Sequence, residues 1–346
     1  MTGDARAGAQ PDPRSAGGPG LYSGATMAST EQPRVEPASE RRAPDFFVVG
    51  HPKSGTTALH NALRRHPEIF MPREKEPWYL ASEVRGQTAR PHGHTPATME
   101  EYLGLFAGAR ADQRIGEASP VYLWSRTAAA AIAELREDAR IIAILREPAS
   151  FLRSLHMQFV QNYTENQNDF RTAIELEDER RAGRRLPPNA YWPGAVLYSE
   201  HVRYVEQLRR YEERFPSDQI MVLIYDDFRA DNEGTLGNVL RFIGVDETAA
   251  AIVPEVNPAV RVRSQRIYGA VHSLARRRSV RRATRTLGID RMRLVAIRDR
   301  LLYRAPEQPD EAFTLELQRR FKPEVQALSE HLGRDLVALW GYDRLD

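Results

Sequence analysis

Apolar residues follow two rhythms along this chain. Phe46-Phe47-Val48-Val49, Ile141-Ile142-Ala143-Ile144-Leu145 and Ile220 to Tyr225 are short, nearly unbroken apolar runs, the mark of strands covered on both faces. Elsewhere apolar positions recur every three or four residues. Thr56 to Arg65 places Ala58, Leu59, Ala62 and Leu63 on one face of a helix. Thr98-Met99-Glu100-Glu101 has a capping-box pattern and leads a helix carrying Tyr102, Leu103 and Phe106. Further helices are predicted over Ser125 to Glu137, from Pro148 to about Tyr163, over Tyr198 to Phe215, over Thr235 to Ile243 and around Leu315 to Trp340. Continuously apolar strands alternating with helices predict an α/β three-layer sandwich with a central parallel sheet and C-terminal helices. Residues 1–44 are Gly, Pro, Ser, Ala and charge, too poor in large apolar groups to offset ordering entropy, and predict a disordered tail. Residues 45–346 then form one domain, whose part from 258 to 346 is first basic and then helical. The polar stretch Asn162 to Arg185 predicts a surface insertion beside a ligand mouth.

Composition narrows the chemistry. The 346 residues include no Cys, which removes disulfides, zinc-thiolate sites and thiol nucleophiles. No run approaches the roughly 20 apolar residues that cross a bilayer, and no secretory signal is visible, so a soluble cytoplasmic protein is expected. Basic and acidic residues number 49 and 47, a net charge of +2 that gives no reason to expect nucleic acid. Only Lys53, Lys75 and Lys322 are lysines; every other basic residue is Arg. In a chain that writes Arg wherever a positive charge will serve, a lysine marks a place where a compact ammonium is needed.

One such lysine stands in a telling loop. Gly50-His51-Pro52-Lys53-Ser54-Gly55-Thr56-Thr57 follows the first strand and opens a helix, the arrangement that turns backbone N–H groups toward an anion. It imitates the G-x-x-x-x-G-K-[ST] phosphate loop, but Thr56 occupies the lysine slot and Lys53 lies inside the turn. A lysine there reaches a shorter 5′ group and its bridging oxygen rather than the end of a triphosphate. An ordinary strand–helix turn is the plain alternative. A second anchor is Arg146-Glu147-Pro148, with Ser154 eight positions after the Arg. Arg146 ends a buried strand and Ser154 lies in the helix that follows, so both can converge on one anion at the strand edge where open α/β sheets bind ligands.

P-K-S-G-T-T-x-L and R-E-P…S together resemble the phosphate motifs of sulfotransferases that use 3′-phosphoadenosine 5′-phosphosulfate (PAPS), with the pattern of the glycan/heparan-type members. The resemblance runs from about Asp45 to Trp340 and implies a P-loop-like fold. It implies that Lys53, Ser54, Gly55, Thr56 and Thr57 hold the 5′ phosphosulfate, that Arg146 and Ser154 hold the 3′-phosphate, and that Tyr198, Arg261 and Arg263 also face the nucleotide. Arg261 and Arg263 read equally well as solvated charges. Pro72-Arg73-Glu74-Lys75-Glu76-Pro77-Trp78-Tyr79-Leu80 resembles the segment carrying the family's glutamate base, which assigns Glu76, although Leu80 stands where a second aromatic is usual. A solvated charge run is the alternative for Glu74 to Glu76, and a histidine base (His92, His94 or His156) stays open. Ile115-Gly116-Glu117-Ala118-Ser119-Pro120-Val121-Tyr122 resembles E-K-[ST]-P-x-Y with Ala118 in place of the lysine, which argues against a highly anionic polysaccharide and leaves Glu117 near the acceptor.

The reading expected is therefore transfer of a sulfuryl group from PAPS to a hydroxyl of a sugar, glycolipid or small natural product, with no metal. Two others compete with it. A P-loop small-molecule kinase would need a Mg²⁺ carboxylate, for which Asp226-Asp227 offers itself. A non-catalytic protein would use the basic segment 276–285, with Arg276, Arg277, Arg278, Arg281, Arg282 and Arg285, against a membrane surface or nucleic acid; the same segment could give the enzyme a peripheral membrane contact.

Overall fold

Five parallel strands carry the molecule: β1 (Phe46–Gly50), β2 (Ile69–Phe70), β3 (Arg114–Ala118), β4 (Arg140–Leu145) and β5 (Ile220–Ile224), in spatial order β2-β3-β1-β4-β5. The computed structural model describes residues 42–87, 95–247 and 310–345, and the backbone of two short antiparallel strands at 261–262 and 303–304. Val48 of β1 lies level with Ala118 of β3 on one side and Ile142 of β4 on the other. The chain leaves β1 toward one edge, returns, and crosses to the other, so the switch point of the sheet lies at the end of β1, where such sheets bind ligands.

The unbroken apolar strands are explained by two cores. Phe46, Val48, Ile142 and Ile144 point to one face, where α1 (Thr56–Leu63) and the helix Asn232–Ile243 contribute Leu59, Leu63, Leu236, Val239 and Leu240. Phe47, Val49, Ile141, Ala143 and Leu145 point to the other, under α2 (Pro148–Gln161), α3 (Tyr204–Glu212) and α4 (Glu311–Leu332). Helices on both faces complete the three layers read from the sequence. β3 escaped that reading because Arg114-Ile115-Gly116-Glu117-Ala118 is not an apolar run. Gly116 is required there by packing, since a Cβ would fall 2.2 Å from the Phe46 ring.

Three local expectations are corrected. The segment Tyr198 to Phe215 is not one helix: a 3₁₀ turn over Tyr198–Val202 gives way to α3 across Arg203, whose backbone is not helical. The helix predicted over Ser125 to Glu137 is shorter, Ala128–Leu135, because the hydroxyls of Ser125 and Thr127 bind the Glu83 carboxylate instead of continuing upstream. Asn162 to Arg185 is only partly a surface segment. It forms helices Phe170–Glu175 and Glu177–Arg181 and sends Glu165 and Arg180 inward, where their fully buried side chains pair at 2.8 Å. A charge pair reads as surface in a sequence, yet it is tolerated inside when each partner is matched. Arg42 precedes the predicted start of the domain, yet its guanidinium holds the Gln113 carbonyl at 3.0 Å.

No described helix is long and apolar enough to cross a membrane. Residues 1–41, Arg263 and the basic segment 276–285 lie outside the described residues, as do His92 and His94.

Candidate functional site

At the end of β1 the chain turns tightly under Leu123, where a Cβ on Gly50 would sit 2.5 Å from the Leu123 Cβ. Lys53 and Gly55 take left-handed backbone conformations, with φ of 63° and 88°. That is ordinary for glycine and strained by about 1–3 kcal/mol for lysine. The result is an open cradle. Among the described residues, the N–H groups of Lys53, Gly55, Thr56 and Thr57 meet no acceptor, and no side chain caps α1. Ser54 Oγ is buried and has no partner. The Lys53 ammonium has no ion pair among the described residues, and burial, followed by the nearby Arg146 charge, pulls its pKa below the ordinary lysine value. Orphaned donors, a buried hydroxyl and a destabilised cation in one turn are the chemistry of an anion site.

Arg146 leaves the end of β4 and reaches into this turn. Its Nη1 donates to the Lys53 carbonyl at 2.9 Å, its Nε donates to Ser150 Oγ at 3.0 Å, and the guanidinium lies 4.8 Å from the centre of the Tyr225 ring. Ser154 follows one turn later on α2 and is buried. Arg153 precedes Ser154 on the same helix. Burial, followed by the nearby Arg146 charge, depresses the pKa of Arg153. The short strand Arg261–Val262 runs alongside α2, but the Arg261 side chain is not among the described atoms. Tyr198 stands apart from this group: it is fully buried and its hydroxyl donates to Glu165 at 3.0 Å. That hydroxyl is committed to the buried Glu165–Arg180 pair, which corrects its assignment as a nucleotide-facing donor.

The charge run at 73–76 divides into two unlike pairs. Arg73 and Glu74 are exposed. Lys75 and Glu76 are half-buried and joined at 2.7 Å, and Lys75 Nζ also donates to Thr56 Oγ1 of the loop at 3.4 Å. The segment is pinned along the end of β3: Glu76 N–H donates to the Ala118 carbonyl at 3.1 Å, Trp78 N–H to Ser119 Oγ at 3.4 Å, and Leu80 N–H to the Tyr122 hydroxyl at 3.2 Å. Glu76 and Trp78 are held at positive φ, 64° and 55°, strain of the kind found where a side chain must be aimed. Behind them Glu117 is fully buried, with Tyr102 donating to its Oε2 at 2.8 Å and no partner on Oε1. Burial pushes its pKa up to about 7, against the opposing pull of hydroxyl donors and the Lys75 charge. The Tyr191 phenol, with Asn162 donating to it at 3.4 Å, stands in the field of Glu76, so the start of the polar stretch and Tyr191 lie beside the site. His156 is buried, its Nε2 against the Gln167 carbonyl at 2.9 Å.

A model described as "Sulfotransferase family" matches residues 44–249, which include all of these loop, β3 and α2 residues. The chain belongs to the sulfotransferase family. It is 33% identical over 105 residues to the membrane-associated sulfotransferase kil1 of Dictyostelium discoideum, covering 30% of this chain and 21% of that protein. It is 27% identical over 250 residues to carbohydrate sulfotransferase 15 of Mus musculus, covering 59% of this chain and 44% of that protein. The chain thus spans less than half the length of either curated relative. The crystal structure of a sulfotransferase from Alicyclobacillus acidocaldarius superposes with a TM-score of 0.62 at 24% identity, covering 86% of this chain and 99% of that one; this likeness concerns the fold. In this family member the three-layer parallel architecture agrees with the sequence reading.

Sequence reasoning missed Arg153, the reach of Lys75 to Thr56, and Tyr191. The rarity of lysine was the available signal for Lys75. For Arg153 and Tyr191 no local signal exists, because what matters is which neighbours the fold supplies.

Proposed function

We propose that this family member transfers the sulfuryl group of PAPS to a hydroxyl of a sugar, glycolipid or small natural product. The observation that carries the proposal is the cradle after β1: among the described residues the N–H groups of Lys53, Gly55, Thr56 and Thr57 and the buried Ser54 hydroxyl have no partner, the Lys53 ammonium has no ion pair, and the Arg146 charge acts on it. In this reading Ser54, Gly55, Thr56 and Thr57 position the 5′ end of the nucleotide, and Arg146 and Ser154 bind the 3′-phosphate with a charge-assisted grip. Arg261 and Arg263 remain candidates to close over it. Lys53 stabilises charge developing on the bridging oxygen as the S–O bond breaks. Glu76 takes the proton from the acceptor hydroxyl as its oxygen bonds to sulfur, and 3′-phosphoadenosine 5′-phosphate departs. The carbohydrate acceptor in the name of the mouse relative supports a sugar hydroxyl. Ala118 in the acceptor-side motif argues for a weakly charged one.

The kinase alternative loses support at Asp226 and Asp227. Trp340 Nε1 donates to Asp226 at 2.9 Å, and both Arg334 nitrogens hold the Asp227 carboxylate, so neither is poised to take a Mg²⁺ ion. Calorimetry with 3′-phosphoadenosine 5′-phosphate and with AMP tests the donor half: the bisphosphate is expected to bind far more tightly, and equal affinities would overturn the reading. Incubation with labelled PAPS and a fractionated acceptor panel, followed by identification of the labelled product, tests the acceptor half.

A further inference from the structure

Lys75 has no role in the scheme above, yet it occupies the one position that joins its two halves. Its ammonium donates to Glu76 Oε1 at 2.7 Å and to Thr56 Oγ1 at 3.4 Å, linking the proposed base to the first residue of α1. Its side chain is only 16% exposed, whereas the neighbouring charges Arg73 and Glu74 face solvent. The charge therefore serves the site. It is also one of three lysines in a chain that otherwise uses Arg. A compact ammonium fits between a carboxylate and a loop hydroxyl, where a planar guanidinium would demand a different geometry.

We propose that Lys75 is a second binding group for the transferred sulfuryl group. In the free protein its ammonium is held by Glu76. With the donor seated against Thr56 it turns to the sulfuryl oxygens and leaves Glu76 Oε1 to the acceptor hydroxyl. This inference rests on the PAPS reading above and deepens it.

Three features carry it. The loop is gripped by two separate cations, Arg146 at the Lys53 carbonyl and Lys75 at the Thr56 hydroxyl, so Lys75 already stands at the rim of the unpartnered N–H groups. The Lys75–Glu76 segment is fixed along β3 by the bonds from Glu76, Trp78 and Leu80, which keeps the ammonium in reach of the loop without any movement of the backbone. A carboxylate oxygen that already accepts a charge-assisted bond is also poorly placed to take an acceptor's proton, so the pair must open before Glu76 acts. Exchanging one anionic partner for another opens it without leaving a half-buried cation unpaired. The transferred group thereby releases the base where and when it is needed.

The test compares affinities for the sulfated and the desulfated nucleotide, PAPS and 3′-phosphoadenosine 5′-phosphate, by calorimetry without acceptor. Lys75→Met is expected to weaken PAPS binding by roughly tenfold to a hundredfold, the size of one charge-assisted bond, and to leave the desulfated nucleotide unchanged. Unchanged binding of the desulfated form also reports an intact fold. Glu76→Gln frees the ammonium and is expected to raise PAPS affinity relative to the desulfated form. Should Lys75→Met fail to fold, Lys75→Gln, which keeps hydrogen bonds to both neighbours, gives the same comparison. A ratio of the two affinities that stays at the wild-type value in the lysine variant overturns the role of Lys75 alone. Wild-type protein that binds the desulfated nucleotide no better than AMP overturns the donor reading, and this inference with it.

Discussion

The two halves of the site are built on opposite plans. Around Lys53 and Arg146 the structure leaves donors over among the described residues: N–H groups without acceptors, a buried hydroxyl without a partner, and an ammonium without a counter-charge. Around Glu76 most polar groups are already matched, with Lys75 on the carboxylate and the β3 edge on the backbone. The first half is preorganised, so an anion gains every contact without rearrangement. On the proposed reading the second exchanges partners in order to work, so the donor would meet fixed geometry while the chemistry would wait on a local swap.

Variants that act on one half only will break or sharpen this contrast. Glu76→Gln is expected to lower turnover by roughly 10²–10⁴-fold while affinity for 3′-phosphoadenosine 5′-phosphate is kept; steady-state rates with labelled PAPS beside calorimetry check this, and undiminished turnover would move the base elsewhere. Lys53→Met should cost roughly 10²–10³-fold in turnover, as loss of a charge-stabilising group does, measured in the same assay. Arg146→Ala should weaken the bisphosphate by roughly tenfold to a hundredfold and AMP hardly at all; equal losses for the two nucleotides would remove the 3′ clamp.

Buried titratable groups also leave a mark on stability. His51 and His201 are fully buried, and burial lowers their pKa values to about 3 and about 4 from 6.5. Below pH 6.5 the unfolded chain binds protons that the folded chain refuses, so stability falls with pH from about 6.5 down to about 4, by a few kcal/mol in all. Thermal melts between pH 7.5 and 4.5 should show the decline, and His201→Gln should reduce its slope. Glu117 runs the other way: with a folded pKa near 7, its stability contribution is complete below pH 4.5 and is lost as pH rises to about 7. Glu117→Gln is therefore expected to raise the melting temperature at pH 8 and to change it little at pH 4.5. An equal shift at both values would show that the carboxyl is not carried neutral in the fold.

Much of this was legible in the residues themselves. The apolar runs at 46–49, 141–145 and 220–225 declared the strands β1, β4 and β5, the first two because a strand buried on both faces has no alternative composition. The loop 50–57 was legible because left-handed turns, exposed N–H groups and a displaced lysine each leave a local signature. Thr98 was recognisable as a helix cap and accepts from Glu101 N–H at 3.1 Å. What stayed hidden were pairings across distance. Glu165 and Arg180 read as solvent-facing charges, and Tyr198 read as a ligand contact; the fold joins all three in one buried network. β3 was concealed by its glycine and its carboxylate, both demanded by neighbours far away in the chain, Phe46 for Gly116 and Tyr102 for Glu117.

By itself, then, the sequence determined the α/β layering, the candidate anion-binding turn and the candidate acid–base residues, since periodicity, backbone permissiveness and side-chain chemistry are local properties. Only the tertiary structure decided which charges meet. Lys75 stands 19 residues from Thr56 and Arg146 stands 93 from Lys53, and no local rule sets those distances. They follow from parallel strands that bring separate loops to one edge of the sheet, where burial decides which polar groups are satisfied and which are left for a ligand.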